Sequence, residues 1–307
     1  MHPQRKPELR NYLVFMNTKV KGYILGAVAA ATYGMNPLFT LPLYKEGMNP
    51  DSVLFFRYLF AIPILGIMLK ARGRSFSLKR KEILPLVILG WLVAISSLTL
   101  FQSYNYMEAG IASTILFVYP ILVALIMAVA FKEKITLQTV LCIFLALSGI
   151  GLLYKGGDGT TLSLVGVGLV MASALSYAIY IVGVNRPILK DVATLKVTFY
   201  VLLFGLSLFL VRVDFGQSLH VVDKWYLWGN LIALAIFPTA ILGALEPVTA
   251  VFFGVTIFGE SLTPRLCCGI VLIILAVTFI IAGSNITTHL VRFRKLFPRL
   301  PLKHIKK

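Results

Sequence analysis

A chain of 307 residues could make one or two soluble domains, but 58% of it is hydrophobic, only 13% is charged, and its mean hydropathy is +0.88. That composition leaves too little polar surface to cover a water-soluble particle. The formal charge of +17 does not mark a nucleic-acid binder, because the 29 Lys and Arg residues sit almost wholly in short segments between apolar runs, where they orient membrane helices.

In chain order, residues 1–22 read as a polar, basic tail with no secretory signal pattern. Met16, just before Asn17-Thr18-Lys19, is a candidate initiator. Apolar runs follow at about 23–43, 52–69, 83–102, 111–131, 137–154, 162–184, 194–211, 225–258 and 266–283. Most approach the roughly 20 residues that cross a bilayer core, and they lack the period-2 alternation of a β-barrel, so they predict spanning helices. Short connections rich in Gly, Pro, Asn and charge, such as 46–50 and 155–159, predict antiparallel neighbours. Residues 284–307 form a second basic tail. Cys142, Cys267 and Cys268 lie inside apolar stretches and read as small buried hydrophobes.

The halves of the chain resemble each other. Phe131-Lys132-Glu133-Lys134-Ile135-Thr136 pairs with Phe258-Gly259-Glu260-Ser261-Leu262-Thr263, and Pro120 with Pro247, all at an offset of 127. Gly22 and Tyr33 pair with Gly166 and Tyr177 at an offset of 144. The second half is therefore shorter by about 17 residues, with the gap near Ala240. This predicts a first repeat at 23–154 and a shortened second repeat at 162–283. Five helices per repeat is an odd number, so the repeats enter the membrane from opposite sides. The fold class expected is an all-α polytopic membrane protein of two inverted five-helix repeats with 9–10 transmembrane helices.

Charge tests the topology. With the N-terminus cytoplasmic and 225–258 crossing twice or re-entering, inside segments hold 23 Lys/Arg and outside segments five. A single crossing gives 17 against 11, a poorer fit to the positive-inside rule. Thirty-four helical residues span about 51 Å, long for one crossing and short for two, so a hinge is expected between Pro238 and Pro247.

Leu245-Glu246-Pro247-Val248, Phe258-Gly259-Glu260 with Thr263, and Phe56-Arg57-Tyr58 resemble the drug/metabolite transporter superfamily, specifically EamA-type permeases, over residues 17–285. The resemblance implies a ten-helix carrier, mostly an exporter of metabolites, amino acids or toxic compounds, in the bacterial plasma membrane with both termini cytoplasmic.

Ionisable groups within spans are costly and mark candidate sites. Arg57 reads as a cation facing a central cavity, or as an arginine snorkelling near a helix end. Glu246, beside Pro247, reads as a protonatable coupling group or a partner for Arg57, or as a carboxylate bonded to backbone that the proline frees. Tyr33 and Asn36 in the first span and Tyr177 and Tyr180 in the matching sixth read as cavity-lining groups. The alternative for such polar residues, favoured for Ser173 and Ser176, is helix–helix packing. Glu133, Glu260 and Glu108 read as boundary or turn residues, and Gln102, Tyr104 and Asn105 as a vestibule or an interfacial belt.

Three function classes follow. The leading one is a secondary carrier of small metabolites or drug-like solutes by alternating access. Its partners would be a small-molecule solute, the lipid bilayer and a coupling proton, with no nucleic acid and no cofactor; a homodimer is left open. A Walker loop is absent, which argues against ATP drive by this chain. An embedded enzyme is disfavoured because His2, His220, His289 and His304 all lie outside the spans and no aspartate pair lies within them. The third class is a transport-inactive or accessory membrane protein, suggested by the shortened second repeat.

Overall fold

The computed structural model describes residues 35–132, 137–153, 163–240, 264, 268–273 and 275. These residues are helical apart from their connections: α1 (Asn36–Lys45), α2 (Pro50–Ala71), α3 (Arg80–Ser103), α4 (Ala109–Leu116), α5 (Tyr119–Phe131), α6 (Leu137–Leu153), α7 (Leu164–Val184), α8 (Thr194–Arg212) and α9 (Trp225–Ala240). Five are long and apolar enough to span a bilayer, counting 109–131 as one. The protein is a polytopic helical membrane protein.

Local sequence sets the helix limits. Asn49 accepts from the Ser52 N–H at 2.9 Å, and Pro50 follows at the first helical position, so α2 starts there. The helix ends in a turn at Gly73, whose φ of +62° favours glycine and lets the Gly73 and Arg74 N–H groups close on Lys70 and Leu69. Glu82 starts α3 by accepting from the Lys79 N–H at 3.0 Å, and Ser163 caps α7. The span at 109–131 breaks at Phe117–Val118, because Pro120 has no N–H to donate to the carbonyl of Leu116. Every residue of α4 is buried, whereas Ile121 is the one buried residue of α5. The first half of that span is thus enclosed by protein, and the second is mostly half-buried, with its last three residues exposed.

The main packing joins helices from opposite halves of the chain. Helix α3 lies on α7 and α8, α2 lies on α8 and α9, α1 lies on α9, and α4 and α5 lie on α7. Exchanging α1, α2 and α3 for α7, α8 and α9 turns α3–α7 into α9–α1 and α3–α8 into α9–α2, and maps α2–α8 onto itself. Helices α3 and α8 approach closely: a Cβ on Gly90 would lie 2.7 Å from the Val201 carbonyl oxygen, and one on Gly205 would lie 2.9 Å from that of Gly90. Small residues at such crossings let helices pack by van der Waals contact where lipid offers no hydrophobic drive. Hydroxyls add to the seam. The Ser173 Oγ–H donates to the Ser96 carbonyl at 2.7 Å, and Tyr58 Oη lies 3.1 Å from Ser97 Oγ.

The connections fall on two faces. On one, Asp51 pairs with Arg212 and Glu46 with Lys224; this hairpin face also holds residues 104–108, through the bond from Tyr44 Oη to the Phe101 carbonyl at 3.0 Å. Gly166 belongs to the same face, because a Cβ there would meet Met107 at 2.7 Å. Helix α1 therefore ends where α7 begins, and the two run in opposite senses. On the other face, Lys196 Nζ donates to the Ser77 carbonyl, Tyr200 Oη to that of Phe76, and Arg186 stands 3.5 Å from the Phe131 ring centroid. Among the described residues, that face carries Lys70, Arg72, Arg74, Lys79, Arg80, Lys81, Lys132, Arg186, Lys190 and Lys196 against two acids, Glu82 and Asp191, whereas the hairpin face carries Lys45, Arg212 and Lys224 against Glu46, Asp51, Glu108, Asp214 and Asp223.

Candidate functional site

Arg57 lies on the third turn of α2, about 10 Å from its start at 1.5 Å per residue. Its guanidinium carbon is 5.4 Å from the ring centroid of Phe101 near the end of α3, within cation–π range. The arginine is half-buried, and the ring helps to hold its position. Phe56 and Phe60 on the same turns contact Trp228 of α9, with centroids 5.4 and 6.3 Å apart, and wall this part of α2 against the second repeat.

Asn36, Thr40 and Tyr44 recur every four residues along one face of α1. Tyr44 bonds to the Phe101 carbonyl, so Tyr44 and Arg57 converge on Phe101 from two helices. Asn36 is 2% exposed and Thr40 is fully buried. Neither Asn36 Oδ1 nor Thr40 Oγ1 has a hydrogen-bond partner among the described residues. A buried polar atom left in that state costs about 1–3 kcal/mol.

A second cluster is aromatic. Tyr177 stacks on Tyr180 with centroids 5.7 Å apart, and Tyr119, at the kink of 109–131, meets Tyr177 edge-on at 4.9 Å. The proline break carries the α5 terminus toward α7 and so places Tyr119 there.

Of the residues predicted from sequence, Tyr177 and Tyr180 come together; Arg57 meets Phe101, and Asn36 lies two turns before Tyr44 on the same face of α1. Tyr33 and Glu246 lie outside the described residues, as do Glu133, Glu260 and the 17-residue gap. The described part of 225–258 is α9, which continues two residues past Pro238; any hinge lies beyond it. Ser173 is fully buried and bonded across the α3–α7 seam, so it packs and does not line an opening. Tyr104 is buried against Phe101, whereas Asn105 is exposed. Sequence reasoning missed Thr40, Phe101 and Tyr119. The four-residue spacing from Asn36 to Thr40 and the position of Tyr119 before Pro120 were available signals, whereas nothing local distinguishes Phe101 from other apolar residues.

Comparison with known proteins agrees with this layout. Residues 20–155 match the EamA-like transporter family. An uncharacterized transporter of Archaeoglobus fulgidus is 29% identical over 247 residues, 73% of this chain and 84% of the relative. A second from that organism is 22% identical over 285 residues, 85% of this chain and 99% of its own length. The uncharacterized transporter YvbV of Bacillus subtilis is 27% identical over 168 residues, and the match spans 52% of each chain. A protein of known crystal structure shares the fold, with a TM-score of 0.61 and 19% identity over 83% of this chain and 94% of its own. The fold and these relatives define a multi-pass membrane protein of the transporter class. Within that class, residues 20–155, in the first half of the chain, resemble the EamA-like transporter family.

Proposed function

We propose that the protein is a secondary carrier that exports small metabolites or drug-like solutes across a plasma membrane by alternating access between two inverted repeats, 23–154 and 162–283. The observation that supports this most is the exchange of helix pairs between the halves, together with the opposite senses of α1 and α7. Two equivalent packings of one seam are what a rocking carrier requires. The ten cations among the described residues of the basic face support a cytoplasmic placement of that face, and on this reading both tails, 1–22 and 284–307, belong to the same side. Tyr33, Asn36, Arg57, Tyr177 and Tyr180 line the solute path, and Glu246 is the coupling group for a proton.

Purified protein in proteoliposomes is expected to move solute in exchange for protons when a proton gradient is imposed. Glu246→Gln is expected to abolish coupling while leaving the thermal unfolding midpoint unchanged; unaltered coupling would remove Glu246 from the path. The shortened second repeat supports the competing reading, an inactive or accessory relative. Absence of flux in the natural chain, with flux restored by a full-length second repeat, would establish that reading instead.

A further inference from the structure

We propose that Asn36 and Thr40 form a subsite for an uncharged amide or hydroxyl group of the solute. This rests on the carrier reading but makes a separate claim about ligand chemistry.

Both side chains are shut off from solvent, and their oxygens lack protein donors among the described residues. Thr40 is unusual in this. Thr99, Thr114 and Thr198, all within helices, each donate to the carbonyl four residues back, at 2.9, 2.8 and 3.0 Å. The same bond is open to Thr40, through the Asn36 carbonyl, and is not made, so its hydroxyl is turned away from its own helix. The backbone nearby is also short of donors, because Pro37 and Pro42 remove two N–H groups from these turns. What remains is an acceptor, Asn36 Oδ1, and a hydroxyl that can donate or accept, one turn apart. Residues at that spacing have Cβ atoms about 5–6 Å apart, so one NH2 or OH group set between them reaches both.

The charge environment selects a neutral donor. There is no ionisable carboxylate from Asn36 to Tyr44, and Glu46 and Asp51 of the adjoining hairpin are tied to Lys224 and Arg212. An ammonium here would be a buried charge without a counter-ion among the described residues, whereas an amide or alcohol only needs its hydrogen bonds made.

Acetamide and N,N-dimethylacetamide test this, since they share a carbonyl and differ in their N–H donors. Saturation-transfer NMR on the full chain in detergent should show acetamide binding about five- to tenfold more strongly, the value of roughly one hydrogen bond. Thr40→Val and Asn36→Leu should erase the difference, and Thr40→Ser should keep it. The unfolding midpoint of Thr40→Val should equal or exceed that of the natural chain, because an unpartnered oxygen is removed. Equal saturation by the two amides, no saturation by acetamide, or discrimination surviving in Thr40→Val would overturn the subsite, as would a lower midpoint in Thr40→Val. Discrimination in a chain that shows no proteoliposome flux would leave the subsite standing and sink the carrier reading; flux without discrimination would do the reverse.

Discussion

Gly90→Val is expected to cost about 3 kcal/mol or more, the upper end for forcing extra atoms into a close-packed seam. The reason is the identity of the neighbours. A Cβ at Gly90 meets the Val201 carbonyl oxygen at 2.7 Å and the Gly205 nitrogen at 3.0 Å, and backbone atoms cannot swing aside as a side-chain tip can. Helices α3 and α8 would have to separate, which would also disturb the contact of Tyr58 with Ser97 and with Phe209. Denaturant titration in mixed micelles measures the loss. Gly168→Ala is the control: nothing lies within 4 Å of a Cβ there, so its stability should stay within about 0.5 kcal/mol. A Gly90→Val protein as stable as the natural chain would show that α3 and α8 do not touch in the membrane form.

Arg212→Gln is expected to loosen the hairpin face. Arg212 donates to both oxygens of Asp51, at 2.5 and 3.2 Å, and so ties the end of α8 to the start of α2. Beside it, Asn49 Nδ2 meets His220 Nδ1 at 3.2 Å, and the His220 N–H donates to Ser52 Oγ at 2.9 Å. The Lys224–Glu46 bond completes the tie and holds the lysine ammonium pKa above its usual range. The Arg212 side chain is 44% exposed, so screening reduces a two-pronged pair to about 1 kcal/mol. That is close to a fivefold shift in an opening equilibrium. Ser103→Cys, buried beneath this face, reports it in a background where Cys142, Cys267 and Cys268 are replaced. Its maleimide labelling should speed up about fivefold in Arg212→Gln. An unchanged labelling rate would reduce the Asp51–Arg212 pair to a surface contact with no hold on the opening.

Much of the fold was legible because hydrophobic length is a local property. The runs at 83–102 and 194–211 anticipate α3 and α8 to within three residues, since Glu82 and Arg212 mark where charge begins. The run at 111–131 reads as one span, whereas the structure breaks it at Phe117–Val118, just before Pro120. The site was less legible. Asp51 and Arg212 stand 161 residues apart, and Arg57 selects Phe101 by three-dimensional placement alone. Tyr177 and Tyr180 were singled out by their position on the span matched to the first one, whereas their third partner, Tyr119, lies on a helix chosen for its proline. Thr40 carries no signal of its own in the sequence, since a threonine in an apolar run ordinarily bonds to its own backbone, as three others here do.

The interleaving of the two halves bears on biogenesis. Helices α2 and α3 touch each other far less than they touch α7, α8 and α9, so the early part of the chain has little to fold against while it leaves the ribosome. Its glycine notch at residue 90 and the hydroxyl of Ser96 stay exposed to acyl chains until residues 164–212 have been translated and inserted. Assembly is thus a late event that needs nearly the whole polypeptide, and a truncated first half would be an orphan for membrane quality control to clear.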